Sequence, residues 1–248
     1  MSAGIGTSAA RRIGMLTPSS NTVLEPMTAA MLAGRDDVTV HFARFRVTEI
    51  SLGEGALGQF QPEPLLEAAR LLADAKVHAI AWNGTSGGWL GLDVDRELCR
   101  RIEEATGIPA TTSTLALAEA LEQSGARSLG WATPYLDEIQ ARILATFGRA
   151  GFPCRGERHL RDRGNFSFAE IAPATIATMV REVAAERPDA IAIFCTNLRA
   201  AHLVAALERE LGIPIYDSVA TALWKSLRLA GIDPATVKGW GRLFELAG

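Results

Sequence analysis

Cys195 closes an uninterrupted apolar run, Ala190 to Phe194, and Thr196-Asn197 follows it directly. A thiol at the tip of a strand can act as a nucleophile, a base or a proton donor. Buried in a core, it is only a small apolar side chain. Three further apolar runs end in comparable polar groups: Thr17-Pro18-Ser19-Ser20-Asn21, Asn83-Gly84-Thr85-Ser86 and Thr133-Pro134-Tyr135. Hydroxyls, amides and backbone N–H groups at such ends suit a carboxylate held by neutral hydrogen bonds. Ser, Thr and Asn are also ordinary helix N-caps, but four equivalent tips favour a site over four separate caps.

Other chemistries find little support. His41, His78, His159 and His202 are scattered without metal-ligand spacing, so no metal site is expected. Gly84-Thr85-Ser86-Gly87-Gly88 follows an apolar run but lacks the lysine of a phosphate-binding loop. No cofactor is implied. Asp93 and Asp95 read as acids at a helix N-terminus. Cys99, in a charged helical stretch, and Cys154, beside the Gly151-Phe152-Pro153 turn, read as structural.

The elements that must position these groups are legible from periodicity. Ile13–Leu16, His78–Trp82, Leu129–Ala132 and Ala190–Phe194 have the length of buried parallel strands. Glu63–Ala75, Asp95–Thr106, Leu136–Phe147, Pro173–Glu186 and Arg199–Leu211 are amphipathic at helical spacing. Gly107 and Gly212 sit where helix C-cap glycines would, and the Ile-Pro after each opens a further strand.

The pattern also repeats. Ala79–Ser86 aligns with Ala190–Asn197 at an offset of 111, Gly107-Ile108-Pro109 with Gly212-Ile213-Pro214 at 105, and Ile13–Pro18 with Leu129–Pro134 at 116. Strand and helix alternating twice predict an α/β protein of two similar lobes, each a parallel sheet flanked by helices. A pseudo-twofold would relate them, with the site between. The first lobe is expected over residues 11–125 and the second over 126–225, with 226–248 packing back on the first. Ser51–Gly58, rich in glycine, reads as a mobile loop.

Composition narrows the function classes. The 248 residues carry 25 basic and 28 acidic side chains, a net charge of −3, with 48% hydrophobic residues. That describes a folded globular protein with neither the basic excess of a nucleic-acid binder nor a charged tail. No apolar run is long enough to span a bilayer. The N-terminus lacks an apolar stretch before Arg11 and Arg12, so no secretory signal is expected. Three widely spaced cysteines argue for a reducing, cytoplasmic setting. The oligomeric state stays open.

These residues resemble the aspartate/glutamate racemase superfamily, and within it the arylmalonate decarboxylases, with features of maleate cis-trans isomerases. The resemblance rests on Gly84-Thr85-Ser86, on Gly107-Ile108-Pro109 with Thr111–Thr114, on Ala132–Asp137, on Cys195, and on Arg228–Gly231 with Gly241–Phe244. Its most specific part is the pair Gly84 and Cys195, because the racemases and isomerases carry a cysteine at both positions. Thr17–Asn21 and Gly164-Asn165-Phe166 look like the isomerases, and Thr196 replaces a glycine of the decarboxylases. The resemblance implies a small dicarboxylate substrate lying near Pro18 and Ser19, and no cofactor. A dioxyanion hole would be formed by Thr85, Ser86 and Tyr135 with backbone N–H groups near Ser86, Cys195 and Thr196. Cys195 would be the proton donor, and Asn21 and Asn165 would hold a carboxylate.

Overall fold

Strands buried on both faces must be apolar throughout, and the four apolar runs become the central strands of two sheets. The computed structural model describes residues 10–47 and 62–246. β1 (Arg11–Pro18), β2 (Val38–Phe45), β3 (Ala79–Trp82) and β4 (Ala110–Thr112) pair in the order β2-β1-β3-β4. β5 (Leu129–Thr133), β6 (Cys154–His159), β7 (Ala190–Ile193) and β8 (Ile215–Asp217) repeat it as β6-β5-β7-β8. All these pairings are parallel. The protein is therefore α/β, with two similar lobes.

The internal repeat is a repeat of register. Ile13 pairs with Ala79, and Leu129 pairs with Ala190; the sequence equates these same residues, Ile13 with Leu129 and Ala79 with Ala190. In each sheet the chain leaves the two central strands toward opposite edges. A switch of this kind opens a crevice beyond the carboxyl ends of β1 and β3, and of β5 and β7.

Nine helices accompany the strands among the described residues: α1 (Leu24–Met31), α2 (Pro62–Asp74), α3 (Gly87–Leu90), α4 (Leu92–Thr106), α5 (Ser113–Ser124), α6 (Asp137–Arg149), α7 (Pro173–Ala184), α8 (Ala201–Leu211) and α9 (Ser218–Leu229). Gly107 and Gly212 end α4 and α8 in the left-handed region, at φ 69° and 73°, which glycine adopts without a Cβ penalty. α5 and α9 follow equivalent strands and pack on each other. There the Thr221 hydroxyl donates to the carbonyl of Ser113 at 3.2 Å.

α5 does not stand out as amphipathic in the sequence. In α9 every residue from Ser218 to Trp224 is buried, and its charged residues, Lys225 and Arg228, fall in its last turns. β2 and β6 are edge strands and only partly buried, which gives them no continuous apolar run. Cys154 opens β6 and is exposed.

The C-terminal segment touches both halves. Arg35, between α1 and β2, donates to the Thr236 hydroxyl, while the Arg242 backbone donates to Glu208 of α8 at 2.8 Å. The Gly-rich stretch Ser51–Gly58 lies outside the described residues. Among those described, no helix is long and apolar enough to cross a membrane.

Candidate active site

The carboxyl ends of β1, β3, β5 and β7 converge on one pocket of about 20 Å³, room for roughly one water. It is lined by Pro18 from β1, by Gly84, Thr85 and Ser86 after β3, by Tyr135 after β5, and by Cys195 and Thr196 after β7. Asn165 joins them, and Val47, Trp82 and Trp89 complete the wall. The three wall residues are apolar or aromatic, types that read as core in a sequence. Trp82 and Ser86 also line a larger cavity of about 340 Å³ whose apolar lining includes Leu65, Leu90, Val94 and Leu98.

Two residues expected at the site work beside it. Asn21 is buried and caps α1, its Oδ1 accepting from the backbone of Val23 and Leu24, both at 2.9 Å. Its Nδ2 crosses to the other lobe, donating to the carbonyl (3.1 Å) and the hydroxyl (3.2 Å) of Thr196. The Ser19 hydroxyl is engaged with the backbone of Val47, accepting from its N–H at 3.1 Å. Asn165 donates to the Ser20 hydroxyl at 2.8 Å. The Thr196 hydroxyl donates to the carbonyl of Asn83 at 3.0 Å, so the lobes are tied together at the site itself.

Cys195 is buried, and the backbone N–H of Asn197 points at its sulfur, 3.4 Å away. Burial pushes its thiol up to about 12; the Tyr135 hydroxyl and the Asn197 N–H oppose the rise, and nearby Asp217 adds to it. The group is a protonated thiol at neutral pH. Tyr135 and Thr85 share a hydrogen bond of 2.6 Å between their hydroxyls. Burial, and after it the charge of Cys195, raise the Tyr135 phenol well above its usual range, so it too keeps its proton. The pocket presents neutral donors on several sides and one protonated sulfur.

Gly84-Thr85-Ser86-Gly87-Gly88 also has the Gly-x-Ser-x-Gly spacing of a serine nucleophile on a strand-to-helix turn. The Ser86 hydroxyl accepts from the Trp82 indole at 3.4 Å. Among the described residues of the pocket no histidine stands by to serve as the base for such a serine. Behind the loop lies Asp95 of α4, fully buried, accepting from the Thr112 hydroxyl at 2.5 Å. Burial raises its carboxyl to about 7. Its position in the first turn of α4 matches the sequence expectation, but its burial does not follow from position. Among the described residues no group of three His, Cys, Asp or Glu side chains could hold a metal ion.

Two parallel-sheet lobes pooling their switch points around one buried cysteine define the class of protein. Comparison with known proteins narrows it. The sequence profile of the arylmalonate decarboxylase family matches residues 60–244. An arylmalonate decarboxylase from Bordetella bronchiseptica is 31% identical over 186 residues, 74% of this chain and 78% of that protein. A maleate isomerase from Pseudomonas putida is 27% identical over 246 residues, covering 94% of this chain and 97% of its own. The crystal structure of a maleate isomerase from Pseudomonas putida S16 with maleate has the same fold, with a TM-score of 0.83 at 21% identity over 96% of this chain and 99% of that one. The chain belongs to the arylmalonate decarboxylase family, within the aspartate/glutamate racemase superfamily, and is an enzyme of that group.

Proposed function

We propose that this enzyme decarboxylates a disubstituted, arylmalonate-type diacid without a cofactor. The observation that carries this reading is the asymmetry of the pocket: a protonated thiol at the tip of β7 and a glycine at the equivalent tip of β3. Loss of CO₂ breaks one carbon–carbon bond and leaves its electron pair on the remaining fragment as an enediolate. Preorganised donors aimed at the developing charge contribute a few kcal/mol each, and Thr85, Ser86 and Tyr135 occupy that role in this reading. Apolar surroundings favour the neutral CO₂ over the hydrated carboxylate it came from. Cys195 then gives its proton to the α-carbon, and solvent reprotonates the sulfur. A thiol held protonated suits a donor that acts once per turnover.

A second reading has its own support. Asn165 lines the pocket, with Asn21 behind it bracing Thr196, where the Asn165 amide would help hold the second carboxylate of a maleate-type substrate, and a curated maleate isomerase matches almost the whole chain. In that reaction Cys195 would add to a double bond as thiolate, a form that its burial opposes.

The test is incubation with phenylmalonate-type and maleate-type diacids in the presence of a chelator. Release of CO₂ from the first and no fumarate from the second is expected. Fumarate alone would establish the isomerase reading, and formation of neither product would overturn both readings.

A further inference from the structure

Gly84 is a glycine for steric reasons. A Cβ built there would lie 2.0 Å from Cζ2 and 2.3 Å from Cε2 of the Trp82 indole, closer than any non-bonded contact allows. The indole cannot yield freely: Trp82 is 1% exposed, packs on Phe45 with ring centroids 4.9 Å apart, and bonds to Ser86. It is also a wall of the pocket that holds Cys195. In the other lobe the repeat places Ile193 opposite Trp82 and Cys195 opposite Gly84. One lobe therefore pairs a large ring with no side chain, and the other pairs a smaller aliphatic residue with a thiol.

We infer that Trp82 is a specificity-determining residue. By filling the space a side chain at position 84 would need, it keeps the first-lobe face of the site without an acid and confines proton transfer to the Cys195 face. The inference rests on the decarboxylase reading above and extends it to stereochemistry. A thiol on each face would allow one sulfur, as thiolate, to remove the α-proton of an arylpropionate-type acid. The opposite thiol would return a proton, inverting the centre with no net change in composition. Trp82 bars that reaction.

The experiment compares the parent with Gly84→Cys, Gly84→Ala, Trp82→Leu and the two corresponding double variants. Racemisation of a resolved 2-arylpropionate is followed by chiral chromatography in deuterated buffer, and Tm is measured for each protein. Gly84→Cys alone is expected to racemise at least tenfold more slowly than Gly84→Cys with Trp82→Leu. The Tm losses of Gly84→Ala and Trp82→Leu are expected to be less than additive, because the second change removes the clash created by the first. Equal racemisation with and without Trp82, or additive Tm losses, would overturn the inference. If the parent decarboxylates no arylmalonate, the functional reading fails by itself, and the Tm cycle still decides whether Trp82 excludes a side chain at position 84.

Discussion

The segments after β3 and β7 share a strand register, an offset in sequence and a position at a switch point. They differ in what they present. After β3 come a glycine and two hydroxyls, with an indole pressed against the glycine; after β7 come a buried thiol, a hydroxyl and an amide. Duplicating a lobe supplies two equivalent tips around one pocket, and their divergence decides how the chemistry is divided. On the decarboxylase reading proposed above, one tip stabilises charge and the other carries the proton. The fold fixes where chemistry occurs; two or three residues per tip determine which chemistry it is.

The sharpest way to break the comparison is to remove the proton from the β7 tip. Cys195→Ser is expected to lower kcat by about 10²- to 10⁴-fold, the usual contribution of a positioned general acid. Cys99→Ser and Cys154→Ser, away from the pocket, should keep kcat close to the parent. Steady-state assays on the three variants check this, and equal losses at all three would remove Cys195 from catalysis. On the β3 side, Tyr135→Phe deletes the phenol that meets Thr85. A loss of roughly 10²-fold in kcat with little change in KM is expected if the bond forms to charge present only in the transition state. An unchanged kcat would take Tyr135 out of the oxyanion hole.

A milder change tests whether the tips act as one unit. The Thr196 hydroxyl donates to Asn83 and accepts from Asn21, both in the first lobe. Thr196→Ala removes two buried hydrogen bonds, while Asn21 keeps its bond to the Thr196 backbone carbonyl. At about 1 kcal/mol per bond, Tm should fall by roughly 4–8 °C for a chain of this size, with kcat reduced less than by Tyr135→Phe. A melting curve that matches the parent would show that the lobes do not depend on this tie.

How much of this was legible in the sequence follows from what each residue's role depends on. The asymmetry of Gly84 and Cys195 could be read because it needs only an alignment of the two halves. The sheets could be read because buried central strands must be continuously apolar. The roles of Asn21 and Ser19 could not be assigned from type alone, since an amide or hydroxyl at a strand tip serves equally as a cap, a tether or a ligand contact. Asn21 is seen acting as the first two. Trp82 gave no signal because its effect lies in where its ring points, and α5 gave little because its buried residues are spread around the helix.

The buried acid behind the β7 tip sharpens the comparison through pH. Asp217 ends β8 and caps α9, its Oδ1 accepting from the backbone of Val219 at 2.8 Å and Ala220 at 3.1 Å. Its Oδ2 is buried with no hydrogen-bond partner among the described residues. Burial raises the carboxyl to about 7, against the two backbone donors that lower it. Between the unfolded value of about 3.9 and 7, the folded protein holds this proton more tightly than the unfolded chain does. Stability must then fall as pH rises through that window, by at most about 1.4 kcal/mol per pH unit from this group. Asp217→Asn keeps an acceptor for both backbone donors and cannot ionise. It should raise Tm slightly at pH 5, where the unfolded carboxyl is already mostly ionised, raise it more at pH 8, and scarcely alter kcat at pH 6, where the parent group is mostly neutral. Melting curves of parent and variant at half-unit steps from pH 5 to 8 check this, and parallel curves would mean that Asp217 does not titrate in that range. Asp95, raised to about 7 behind the other tip, accepts from the Thr112 hydroxyl, so Asp95→Asn, which keeps an acceptor for that bond, should flatten the same curve.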